Sequence, residues 1–280
     1  MNFIFEWLQI RDLSKNLNTS ALSVPHTAPD TVASGYRHPR QLATFPDLVV
    51  AESTRQGGFS NSPYSSLNLG LYTKDQAGSI QQNRNQFFAR LGCSEAEVAG
   101  MHQVHGSEVL RVNQPGQYPG YDALITNMTG LFLTVTVADC TPVLLYDPLH
   151  KAVAAIHAGW RGTVASIAAK ALTAMQNDFG TDPTHCYAYV GTCIDECSFE
   201  VDADVADHFG APFKRWDEGK KKFFIDLKAA NAQILNKQGI PMAQIECSPY
   251  STVLHNEDYF SYRKEKGVCG RMLGLIGVKQ

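Results

Sequence analysis

The sequence predicts one mixed α+β domain in which strands outnumber helices. Short apolar runs rich in Val, Ile, Leu and Thr, bounded by turn residues, read as strands along most of the chain. Few segments are long enough and suitably spaced for helices, and those carry end signals. After residue 46 no repeat, low-complexity tract or linker divides the chain. Residues 1–45 therefore read as an N-terminal extension, a short helix plus linker, and 46–280 as a single domain.

In order, Phe3, Ile4, Trp7 and Leu8 recur at helical spacing, and a Ser-, Thr-, Pro- and Ala-rich linker runs from Asn16 to Arg40. Leu48–Ser53 is the first strand, followed by an Arg55-Gln56-Gly57-Gly58 turn. Ser79 caps a helix over Ile80–Leu91 that Gly92 stops, and Ser94 with Glu97 forms a capping box on a very short helix. Glu108–Val112 and Leu131–Val137 are strands, the second delivering Cys140. Pro142–Tyr146 and Ala152–Ile156 make a hairpin, Val164–Phe179 a helix with Gly180 past its end, and Cys186–Val190 a strand. Asp202 caps a short helix to Phe209, and Gly219-Lys220-Lys221-Lys222 is a solvated loop. Asp226 caps Leu227–Lys237, which Gly239 ends, and Met272–Val278 is the last strand.

At 280 residues, with 44% hydrophobic and 18% charged residues, the chain has ample core. A formal net charge of −3 leaves no basic surplus for nucleic acid, and no Lys/Arg block addresses an anionic membrane. Seven Cys without paired spacings suit a reduced, cytoplasmic protein; Cys186, Cys193 and Cys197 lack the CxxC spacing of a structural zinc site. Met1–Ile10 is apolar but carries Glu6, lacks a basic start and is too short to span a bilayer. No GxGxxG, Walker, GxSxG or HExxH motif is present, and no two carboxylates are paired as a glycosidase requires.

Chemistry concentrates in the hairpin. If Pro148 and Leu149 form a two-residue turn, Asp147 faces His150 and Cys140 faces His157, their Cβ atoms ~5 Å apart on one face. One metal ion could take both donors, or His157 could deprotonate Cys140. His105, in a tight His-Gly turn between apolar segments, is the third ligand, with His102 ranked below it. A Cys/His/His set suits tetrahedral Zn²⁺ with an open fourth position, and copper is the alternative metal. Beyond His157, Gly159-Trp160-Arg161-Gly162 leads into a helix, so free N–H groups of Gly159 and Gly162 with the Arg161 guanidinium form an anion site. The plainer alternative is a buried thiol and a core His beside an ordinary turn.

These residues resemble the YfiH family, also called the multicopper polyphenol oxidase or laccase-domain family, from about Leu48 to Gly277. The resemblance rests on Ser53-Thr54-Arg55-Gln56-Gly57-Gly58-Phe59-Ser60, Pro63-Tyr64-Ser65-Ser66-Leu67-Asn68-Leu69-Gly70 and Asn83-Arg84. It continues through Gln103-Val104-His105-Gly106, Asp122-Ala123-Leu124-Ile125-Thr126 and Ala138-Asp139-Cys140-Thr141-Pro142. His157-Ala158-Gly159-Trp160-Arg161-Gly162, Phe199-Glu200-Val201, Phe260-Ser261-Tyr262-Arg263 and Gly270-Arg271-Met272 complete it. Two positions depart from the family pattern. A Gly-Pro-x-Ile-Gly turn reads Gly191-Thr192-Cys193-Ile194-Asp195, and a Cys usual near the end is Ser251.

The resemblance implies two packed mixed β-sheets flanked by helices, a four-layer α/β/β/α arrangement. It implies metal ligation by His105, Cys140 and His157, with the same residues in catalysis, and phosphate or substrate contacts from Arg55, Asn68, Arg263 and Arg271 beside Arg161. The activity it implies is zinc-dependent phosphorolysis of adenosine, inosine and methylthioadenosine, with deamination of adenosine: a pentosyltransferase and hydrolase acting on a purine nucleoside and phosphate. A copper-dependent phenol oxidase, an editor of peptidoglycan precursors, a metal-free Cys/His hydrolase with Cys140 as nucleophile and a binding module are the competing readings. The expected assembly is a monomer or homodimer.

Overall fold

The computed structural model describes residues 35–280; the expected N-terminal helix and most of the linker lie outside them. In chain order the strands are β1 (Tyr36–Arg37), β2 (Leu48–Ser53), β3 (Val98–His102), β4 (Val109–Arg111), β5 (Gly116–Pro119), β6 (Ala123–Thr126), β7 (Phe132–Val137) and β8 (Thr141–Asp147). They continue as β9 (Ala152–Ala158), β10 (Tyr187–Val190), β11 (Glu200–Val201), β12 (Lys214–Asp217), β13 (Lys222–Ile225), β14 (Ile245–Cys247) and β15 (Met272–Val278). The α-helices are α1 (Ala77–Arg90), α2 (Trp160–Val164), α3 (Ile167–Phe179), α4 (Ala203–Ala206) and α5 (Leu227–Lys237).

One six-stranded sheet runs β1-β2-β15-β7-β3-β5, a second runs β14-β10-β8-β9-β6-β4, and β11-β13-β12 makes a small third. The large sheets are mixed: β3 lies parallel to β5 and β7, β10 to β14 and β4 to β6, and the other pairs are antiparallel. Strand alternation explains the layering. Leu48 and Val50 of β2 point at Leu144, Tyr146, Val153 and Ala155 of the second sheet. Their neighbours Val49 and Ala51 meet Phe87 and Phe88 of α1 on the outside. On the far side, Val143, Leu145, Ala154 and Ile156 pack on Leu172 and Met175 of α3 and Leu235 of α5. The result is helix, sheet, sheet, helix. Because both faces of these strands are covered, β8, β9 and β15 read as continuous apolar runs, each buried throughout.

Strands β2 and β15 have the expected bounds, and Asp226 caps α5 by accepting from the Ala229 N–H at 2.8 Å. The Ser94–Glu97 box also forms, on a three-residue 3₁₀ turn. Other elements differ. Helix α1 begins at Ala77, so Ser79 lies in its first turn and Gln76 is the cap. The single helix expected over Val164–Phe179 is two, α2 and α3, separated by Ser166 in a left-handed conformation at φ 56°. Residues 36–45, grouped by sequence with the extension, are seated on the body: Tyr36 pairs with Ser53, and Leu42 is fully buried. The lysine-rich loop is the tip of the β12–β13 hairpin. Lys220, Lys221 and Lys222 each pair with a carboxylate, on Glu200, Glu218 and Asp202.

The β8–β9 hairpin closes through four residues, 148–151, not two, with Lys151 at φ 52°. The register is therefore displaced: His157 stands opposite Pro142, not Cys140. Lys151 carries no turn signal of the Gly or Asn kind, which is why the shorter loop looked sufficient.

The two departures from the family pattern adjoin one another. Thr192 donates its backbone N–H to buried Glu52 at 2.6 Å, a bond proline cannot make. Asp195 accepts from the hydroxyl of Ser251, so the two exchanged positions form a pair.

Candidate metal centre

Three chain segments meet at one end of the second sheet. His157 is the penultimate residue of β9, Cys140 immediately precedes β8, and His105 sits in the turn after β3. Their donor atoms all lie within 4.8 Å of one another. The imidazoles of His105 and His157 meet edge to face, with ring centroids 4.8 Å apart. Although the hairpin register is not the expected one, Cys140 and Pro142 are two residues apart, so the cysteine remains on the face that carries His157.

The surroundings fit a metal ion. A Cβ built on Gly159 would lie 3.2 Å from the Cys140 sulfur, 3.5 Å from His105 Cδ2 and 3.8 Å from His157 Cε1. Glycine thus keeps a cradle clear where the donors converge. One thiolate and two imidazoles are the donor set of a zinc or copper site with a position left for substrate or water.

Burial alone would push the Cys140 thiol up; the charge of His157 and hydrogen bonds from both imidazoles outweigh it and bring it down to about 6. Burial would push His157 down, but the Cys140 thiolate and the Asp122 carboxylate raise it to about 9. Asp122 is held below the usual carboxylate range, since bonds from His157 and the Gly106 N–H overcome its burial. Asp122 was part of a recognised motif and received no role from the sequence. It is fully buried, and its carboxylate lies 2.7 Å from His157 Nδ1.

The three donors line a cavity of about 560 Å³. Trp160, Ile194, Phe199 and Leu227 form an apolar wall supplied by α2, the segment between β10 and β11, and the start of α5. Tyr72 and His102 line the cavity too, stacked with ring centroids 4.1 Å apart at 19°. His102, ranked second as a ligand, is part of this aromatic ledge. Arg263 and Arg271 also line the cavity. Asp139 anchors its rim, accepting from the Ser261 hydroxyl at 2.8 Å and the Arg263 N–H at 2.6 Å.

Other residues of the expected site lie elsewhere. Arg161 is exposed, its guanidinium 4.3 Å from the Trp160 ring centre. The Gly-x-x-Gly segment is no open anion turn. Gly159 caps α2, its carbonyl accepts from the Thr163 N–H at 2.8 Å, and Gly162 is buried within α2, where a Cβ would come 3.1 Å from the Gly106 carbonyl. Both glycines make room beside the three converging side chains. Arg55 is spent on the carbonyls of Ser65 and Asn256 and on Glu265 at 3.1 Å. Asn68 is buried, and its Oδ1 accepts the Arg271 N–H at 2.9 Å, so it braces the backbone of an arginine that does reach the cavity.

The profile of the family described as multi-copper polyphenol oxidoreductase laccase matches residues 49–279. A purine nucleoside phosphorylase of Bacteroides thetaiotaomicron is 34% identical over 251 residues, covering 84% of this chain and 93% of the relative. One of Deinococcus radiodurans is 36% identical over 243 residues, covering 85% and 92%. The crystal structure of YlmD from Geobacillus stearothermophilus matches with a TM-score of 0.83 at 28% identity, over 91% of this chain and 98% of its own.

Proposed function

The chain belongs to the multi-copper polyphenol oxidoreductase laccase family, and from that premise we propose that it is a zinc-dependent purine nucleoside phosphorylase that also deaminates adenosine. The observation that carries the reading is a Cys/His/His donor set opening onto a cavity with two arginines and an aromatic ledge. Relatives named purine nucleoside phosphorylase, matched over most of their length, support the nucleoside and phosphate as substrates.

In phosphorolysis a phosphate oxygen bonds to the anomeric carbon of the ribose as the glycosidic C–N bond breaks. The purine leaves with the bonding electron pair and takes a proton, and ribose 1-phosphate remains. Arg263 and Arg271 hold the phosphate and its charge, the part the sequence assigned to Arg161. Tyr72 and His102 offer a flat face to the purine. The apolar wall of Trp160, Ile194, Phe199 and Leu227 excludes water that would compete with phosphate. His105, Cys140 and His157 would hold a zinc ion, which would supply Lewis-acid charge at the open end of the cavity. Adenosine, inosine and methylthioadenosine are the substrates to assay.

A second reading has its own support. Without metal, Cys140, His157 and Asp122 form a Cys–His–Asp array with a thiol brought down to about 6, the pattern of a nucleophilic hydrolase. His105, within reach of both sulfur and imidazole, is one imidazole more than a Cys–His–Asp array needs, and the third donor favours the metal. The deciding experiment incubates zinc-loaded protein with inosine, with and without phosphate. Phosphate-dependent release of hypoxanthine is the expected result. Phosphate-independent release, or none, would overturn the phosphorylase. Copper uptake with phenol oxidation would instead favour the oxidase named by the family description.

A further inference from the structure

We propose that Asp122 is the positioning residue of the metal centre: one carboxylate selects the nitrogen that His157 offers and holds the turn that carries His105. The inference rests on the metal reading above and adds to it a residue outside the ligand set.

Asp122 lies just before β6, where the β6–β9 register sets it opposite His157, and its carbonyl accepts the His157 N–H at 2.7 Å. Its side chain turns to the donors. Oδ1 accepts from His157 Nδ1 at 2.7 Å and from the His105 N–H at 3.0 Å. Oδ2 accepts from the Gly106 N–H at 2.7 Å and the Val104 N–H at 3.2 Å. A carboxylate has about four lone-pair sites, and these contacts engage all of them.

Two consequences follow from an acceptor-only group in this place. Facing a carboxylate, His157 keeps its proton on Nδ1, so the Nε2 lone pair remains for metal. His105 is held in the left-handed region at φ 60°, a conformation that costs a non-glycine residue free energy. Three successive N–H groups, of Val104, His105 and Gly106, converge on the same carboxylate, and that anion repays the cost of the turn. Asparagine would fill the same volume with one acceptor and one donor. If its oxygen keeps the Gly106 and Val104 N–H groups, its NH₂ faces the His105 N–H and His157 Nδ1, and selects the tautomer protonated on Nε2. That tautomer carries its lone pair on Nδ1, against the amide, and none on Nε2 for the metal. If the amide is reversed, the NH₂ faces backbone donors and the His105 turn loses its anchor.

The test measures zinc affinity of metal-free protein by competition with a chromophoric chelator, for wild type and Asp122→Asn. Circular dichroism confirms that both are folded, and cobalt absorption reports the ligand geometry. Asp122→Asn should bind zinc about 10- to 100-fold more weakly, keep the cobalt–thiolate charge-transfer band of Cys140 and alter the d–d bands. A folded Asp122→Asn with wild-type zinc affinity and cobalt spectrum overturns the proposal, even if it melts earlier. Should that variant fail to fold, Gly106→Ala decides. Its new Cβ would lie 3.3 Å from Asp122 Oδ2 and should weaken zinc binding by a smaller factor, and unchanged affinity overturns the proposal. Wild-type protein that takes up no zinc overturns the metal reading and this inference together, whereas normal wild-type uptake with an unaffected Asp122→Asn removes this inference alone.

Discussion

Cys140 and Gly159 face each other across the open end of the β8–β9 hairpin, so close that a methyl group on Gly159 would lie 3.2 Å from the cysteine sulfur. The backbone at Gly159, φ −66° and ψ 172°, is open to any residue, so glycine is required there by space and not by conformation. Gly159→Ala should therefore fold normally and crowd only the donors. Overpacking costs about 1–3 kcal/mol, so zinc affinity should drop roughly tenfold, measurable by chelator competition, in a protein that circular dichroism shows to be folded.

Near pH 7, Cys140 of the metal-free protein should be alkylated faster than the buried thiols Cys93, Cys186 and Cys193. Its thiol is brought down to about 6, whereas burial pushes Cys93, Cys186 and Cys193 up to about 12. Below pH 6 the sulfur is protonated and slow, so the iodoacetamide rate at Cys140 should rise through pH 6 and level off above it. Zinc should protect it. Peptide mass spectrometry reads the site, and equal labelling of the buried thiols would refute the assignment.

Arginines inside and outside the cavity should behave differently. Arg271→Ala should raise the phosphate KM and lower phosphorolysis by about 10- to 100-fold, the equivalent of one lost charge-assisted hydrogen bond of ~1.5–3 kcal/mol. Adenosine deamination, which uses water, should fall much less. Arg161→Ala, losing only its seat on Trp160, should leave the phosphate KM close to wild type. Steady-state kinetics with varied phosphate separate the two.

Glu52 supplies a pH dependence away from the metal. Burial raises its carboxyl above the usual range against hydrogen bonds from Thr192 and Tyr189. A carboxyl raised in the folded state favours folding while it is protonated, and that contribution is lost as pH rises through the folded pKa. Glu52→Gln mimics the protonated acid. Urea unfolding should show the two proteins similar in stability near pH 5 and the variant relatively more stable at pH 8; parallel curves at the two pH values would contradict the expectation.

Long apolar strands were legible because burial on both faces leaves an unbroken signal, as in Leu48–Ser53 and Met272–Val278. Gly116–Pro119 and Ala123–Thr126 escaped notice because four residues, in one case ending in Gly and Pro, carry too little pattern. His105, Cys140 and His157 come together although the expected hairpin turn is two residues too short, since a shift by two preserves the face. Arg161 was misplaced because the Gly-x-x-Gly spacing resembles an anion turn when its glycines are required by close packing. Asp122 could not be found that way. Its four contacts involve residues remote in sequence and mostly backbone N–H groups, which leave no trace in composition or spacing.

Strand β15 lies between β2 and β7 near the middle of its sheet, yet it is made after every other strand. During synthesis, β2 and β7 emerge early and must wait with open edges until Met272–Val278 leaves the ribosome. Until then the inter-sheet core lacks Met272, Ile276 and Val278, so the nascent chain presents two unpaired apolar edges to anything nearby. A message truncated just before Met272 would encode His105, Cys140 and His157 and yet yield a chain that depends on chaperones and does not mature.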